Sequence, residues 1–165
     1  MAKEGKEGMG LEKLKEEYGK LEKKHKLPGF KEMNEDFWIE DLAETETDLL
    51  IRKVRVKVSD TLARTIRFIE TLLNPVNGSI FIFSIIKALT SVDKEKLSDL
   101  YKQLSEKEIE FIRLDLGFSE EKEAEFIRNT YKFWQQAKKD IDGIMGKINK
   151  NTGPKPEANN REYFG

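Results

Sequence analysis

A chain of 165 residues is the size of one domain, and 38% hydrophobic against 37% charged residues favours several thin amphipathic helices over a thick α/β core. There is no cysteine, which excludes disulfides and thiolate chemistry, and a single histidine, His25, which leaves the usual zinc sites and a histidine-dependent triad with little support. A formal net charge of −1 gives the molecule no overall pull toward nucleic acid, and the strongest apolar run, residues 80–86, is too short to span a bilayer.

Residues 1–9 are charged and glycine-containing and read as a disordered leader without the apolar segment of a signal peptide, so a cytoplasmic setting is expected. From Leu11, the spacing of Leu11, Leu14, Tyr18, Leu21 and His25 predicts a helix with a narrow seam, broken at Leu27-Pro28-Gly29. A short second helix follows through Lys31 to Phe37. The cluster Phe30, Met33, Phe37, Trp38 and Ile39 is expected to clip this N-terminal arm onto the body.

Thr45-Glu46-Thr47-Asp48 has the pattern of a capping box before a long helix, residues 47–73. At about 100° per residue, Ile51, Val54, Val58, Leu62, Ile66, Ile69, Leu72 and Leu73 fall within about a third of its circumference. Residues 54–58 alternate like a strand, but the three-four stripe runs through them without a turn signal. Asn74-Pro75 ends this helix, and Asn77-Gly78-Ser79 opens a segment, residues 80–89, that is apolar on nearly all sides. That pattern predicts the buried central helix.

Thr90-Ser91-Val92-Asp93 starts the next helix, with Leu97, Leu100, Tyr101 and Leu104 inward. Ser105-Glu106-Lys107-Glu108 has the form of a second capping box and predicts a separate helix with Ile109, Ile112 and Leu116. Gly117-Phe118 suits a left-handed cap, and Ser119 can cap the last helix directly. That helix, residues 119–148, carries Ile127, Trp134, Ile141 and Ile148 at heptad spacing, with Thr130, Ala137 and Ile144 between them. The same seam could pair two copies into a homodimer. Residues 151–165 are rich in Gly, Pro and Asn and read as a flexible tail ending in Tyr163-Phe164-Gly165.

The sequence shows no phosphate-binding loop, dinucleotide turn or nucleophile elbow, so no catalytic residue, cofactor or metal site is expected. Glu22 and His25 have the Glu-x-x-His spacing of di-iron bundles, which require two such motifs; one histidine cannot supply them. Glu108, Glu110 and Asp115 read as a solvated acidic face, and Tyr131 and Trp134 as core at heptad positions. Charge is uneven: residues 52–67 hold six basic residues and one acid, while residues 106–125 hold eight acids against three basic residues. Arg52, Lys53, Lys57, Arg64 and Arg67 share an arc of the long helix. They can contact phosphates, or they can pair with the chain's own acidic segment. Tyr163 and Phe164 in the tail form a candidate docking motif, or else fold back onto the body.

Leu27-Pro28-Gly29-Phe30-Lys31-Glu32-Met33-Asn34-Glu35-Asp36-Phe37, with the Leu73-Asn74-Pro75 break before an apolar helix, resembles small all-helical proteins of archaeal type, a family with no established function. The resemblance implies a cytoplasmic archaeal setting and brings no catalytic motif. The expectation is an all-α, single-domain bundle of six or seven helices over residues 10–150, with a docked N-terminal helical arm and a disordered C-terminal tail. Its expected role is that of a non-enzymatic interaction or adaptor protein with a protein partner and no membrane span. The alternative is an accessory factor on RNA or the ribosome, using the basic face of residues 47–73.

Overall fold

The computed structural model describes residues 8–76 and 78–152, with the side chains at 149, 151 and 152 left aside; over the described residues the chain forms six α-helices and one 3-10 helix, with no strand. Most of the expected leader (residues 1–7), Asn77 and the tail with Tyr163 and Phe164 lie outside the described residues. The all-α, single-domain architecture expected from the sequence is the one observed, and among the described residues no helix is long and apolar enough to cross a membrane.

Helix α1 (Leu11–His25) buries Leu14, Tyr18 and His25 along the expected seam, and Lys26 closes it in the left-handed conformation at φ 52°. Tyr18 donates its hydroxyl to the Pro28 carbonyl at 2.6 Å, which fixes the turn into α2 (Phe30–Phe37). Met33, Phe37 and Ile39 are buried, and Phe37 meets Trp134 at a ring separation of 6.1 Å. Polar contacts add to this apolar clip: Gln135 and Lys138 both donate to the Asp36 carboxylate, at 2.7 and 2.5 Å. A 3-10 helix (Ile39–Glu44) leads to the long helix.

That long helix, α3 (Leu50–Leu73), is helical through the alternating residues 54–58, and its apolar stripe is buried except for the half-buried Leu73. Its start departs from expectation. Thr45 and Asp48 form no capping box; the Thr47 hydroxyl accepts from the Leu49 N–H at 3.1 Å in a local turn that competes with capping, and the helix starts at Leu50.

Two further expectations are corrected. Helix α5 (Ser91–Asp115) runs unbroken through Ser105, whose hydroxyl donates back to the Tyr101 carbonyl at 2.8 Å instead of capping a new helix. With no Gly or Pro between residues 91 and 115, nothing forces a break. Nor is Gly117 left-handed: α5 ends at Leu116 in the right-handed region, and Phe118 stays exposed. Ser119 does cap α6 (Glu120–Thr152), accepting from the Lys122 N–H. The walls are therefore three: α3 packs on both α5 and α6, and α5 packs on α6.

Helix α4 (Ile80–Ala88) is the largest correction. It is not central; it lies against α6 and α3 and buries only one flank.

Candidate functional site

Ser79 caps α4 by accepting from the Ile82 N–H, and the nine residues that follow make two and a half turns. Ile85 and the following Leu89 are buried and Ile82 and Ile86 are packed against the core, all on one flank. The other flank carries Ile80, Phe81, Phe83, Ser84 and Lys87, all exposed. Ile80 is 88% exposed, Phe81 67% and Phe83 44%, with Val76 before them at 86%. Together these four side chains present on the order of 500 Å² of apolar surface, at 150–250 Å² for a full aromatic. A patch of that size is in the range of the largest on a typical monomer, which is commonly functional. Only Lys87 carries charge on the helix.

A sequence apolar all round does not say which way it faces. Here the signal was Ser84 and Lys87, three residues apart, which place the outward flank on their own side.

The basic stripe on α3 is divided by the fold. Arg52 reaches Asp115 at 3.5 Å and Glu123 at 4.0 Å, and Lys57 pairs with Asp41 at 2.7 Å. The guanidinium of Arg64 lies over the Trp38 ring at 5.2 Å, while Arg67 donates to the Ala63 carbonyl of its own helix. Lys57, Arg64 and Arg67 line one small cleft together with Asp41 and Asp60, so carboxylates alternate with the cations there. Lys53 is exposed.

Beneath the stripe lies a residue the sequence reading passed over. Arg55 is wholly buried and forms an ion pair with Glu123 of α6, also wholly buried. Arg55 Nη2 also donates to Asp115 at 2.6 Å, and its guanidinium stacks over the Phe111 ring at 4.2 Å. Burial pushes the Glu123 carboxyl up, against the opposing pull of Arg55 and Arg52; Asp115 is held down, chiefly by its hydrogen bond from Arg55. The signal was present: Arg55 sits mid-stripe between Ile51 and Leu62, and Glu123 falls in the heptad series of Thr130 and Ala137. An arginine and a glutamate on two buried seams call for each other.

The heptad seam of α6 is spent inside one copy, with Ile127, Thr130, Ala137, Ile144 and Ile148 buried. Trp134 is buried as expected, yet it also lines an open cleft of about 680 Å³ between α3 and α6 with Phe68, Ile141 and Met145. Among the described residues, no cluster of His, Asp and Glu is placed to hold a metal ion. No protein-family model, no curated protein and no solved structure matches this chain.

Proposed function

We propose that the protein is a non-enzymatic helical interaction module whose docking surface is the outer flank of α4, received by an apolar groove on a protein partner. The observation that carries this reading is the exposure of Ile80, Phe81 and Phe83 on a helix whose opposite flank is already anchored in the core. An amphipathic helix has no need of phenylalanine and isoleucine toward water, and such a face is a liability unless something covers it. With one cation and no carboxylate, the flank lacks the charge that phosphate contact requires, while aromatic residues are enriched at the centres of protein interfaces. Ser84 and Lys87 add polar groups on the same flank.

The alternative, phosphate contact through Arg52, Lys53, Lys57, Arg64 and Arg67, has less support. Arg52 and Lys57 spend their charge on carboxylates of this chain.

A photo-cross-linking residue at position 81 tests the proposal, with position 129, exposed on α6, as control. The expected result is a defined protein adduct from position 81 in native lysate and none from position 129. Equal labelling from both positions, or adducts to RNA alone, would overturn it.

A further inference from the structure

Where α1 ends against α6, an open cleft of about 660 Å³ is lined by Lys24, His25, Lys26, Arg128, Tyr131 and Lys132, with the Leu27-Pro28 turn as its floor. Two elements supply the cations. Lys24 and Lys26 come from the last turn and cap of α1; Arg128, Tyr131 and Lys132 share one face of α6 at the three-four spacing. No carboxylate lines the cleft. Glu120 is engaged at its edge, accepting from Lys24 at 2.8 Å and meeting His25 Nε2 at 2.6 Å, and on the other side Asp36, Glu32 and Glu35 of α2 act on Tyr131. Arg128 is anchored by donating Nη1 to the His25 carbonyl.

Lys26 and Lys132 have no ion-pair partner among the described residues. Elsewhere α6 shows what pairing looks like, where its Lys138 meets Asp36 of α2. Cations at the end of α1 complement its dipole, but Arg128 and Lys132 lie in the body of α6, where a dipole argument does not reach. Nor does helix capping demand a lysine at position 26. Its backbone is left-handed, a conformation that glycine adopts without the steric cost a side chain imposes. A chain of net charge −1 thus gathers four permanent cations around one cleft and keeps two of them unpaired.

We infer that this cleft binds a phosphoryl anion of small-molecule size, with Lys26, Arg128 and Lys132 around the oxyanion and Tyr131 against whatever the phosphate carries. Cations arriving from two directions suit a tetrahedral dianion better than a planar monovalent one. Two sources share this chemistry: free inorganic pyrophosphate, and the phosphates of a nucleotide. The inference is independent of the α4 docking surface.

Calorimetric titration of the full chain with pyrophosphate, and separately with ATP, both without added metal, tests it. Expected are saturable binding that weakens as salt rises, and a loss of about tenfold or more in affinity in the Lys26→Gly/Lys132→Ala double variant. Lys26→Gly alone should weaken binding without lowering the melting temperature, because the glycine suits that backbone. Tighter binding of ATP would support a nucleotide as the source, with Tyr131 contacting the base; equal affinities would support the phosphoryl group alone. No binding of either probe, or binding unchanged in the double variant, would overturn the site.

Discussion

Arg55 of α3 and Glu123 of α6 are both wholly buried and face each other across the junction of the three long helices, with Asp115 of α5 completing the contact. A buried pair of this kind offsets desolvation only while both partners are present. Arg55→Met should therefore destabilise the protein by about 3–5 kcal/mol, and Arg55→Met/Glu123→Leu by markedly less. Chemical denaturation of the two variants checks this; equal losses would show that Glu123 is not paired with Arg55.

The same pair gives a pH signature. Burial already raises the Glu123 carboxyl in the folded state, and removing Arg55 raises it further. A carboxyl raised in the folded state takes up a proton more readily there than in the unfolded chain, so stability is gained as pH falls. The deficit of Arg55→Met should shrink as pH falls from neutral toward the unfolded glutamate value of about 4.3. A deficit constant across that range would contradict this account.

Asp93 behaves oppositely. Its carboxyl is held down to about 2, first by the Lys147 ammonium at 2.7 Å and then by the Thr90 hydroxyl and N–H, in the box that starts α5. A depressed carboxyl contributes stability in full above its unfolded value of about 3.9 and loses it as pH falls through its folded value. Melting curves of wild type and Asp93→Asn should differ most near neutral pH and converge between about pH 4 and pH 2. Parallel curves would show that Asp93 is not the group responsible.

The two flanks of α4 should respond differently to the same chemistry. Ile85→Ala removes buried side-chain volume and should cost about 2–5 kcal/mol, whereas Phe81→Ser should stay within about 0.5 kcal/mol of wild type. Thermal or urea unfolding reads both. A large loss for Phe81→Ser would place that ring in the core.

Most of the fold was legible in the sequence because periodicity reports burial directly. The α3 stripe from Ile51 to Leu72 is buried as its spacing requires, and so is the α6 seam from Ile127 to Ile148 except for the half-buried Ile141. Caps were less legible, since a hydroxyl can bond to nearby backbone instead: Thr45 with Asp48 and Ser105 with Glu108 have the residues of a capping box and form none, whereas Thr90 forms one with Asp93. The orientation of α4 could not be read from hydrophobicity, because both of its flanks are apolar. Charge was the poorest guide. The arc from Arg52 to Arg67 is contiguous in sequence, yet Asp41, Asp115 and Glu123 reach it from three other elements, a matter of tertiary placement. The cleft cations at Lys26 and Lys132 lie more than a hundred residues apart and share no sequence pattern.

The most direct test of the α4 docking surface is quantitative capture from RNase-treated native lysate, comparing wild type with Ile80→Asp/Phe81→Asp. Both positions are exposed, so the variant should melt at the wild-type temperature. The expected result is a defined protein partner held by wild type and lost by the variant at matched stability. A partner retained equally by the variant would contradict the account and move the contact away from α4.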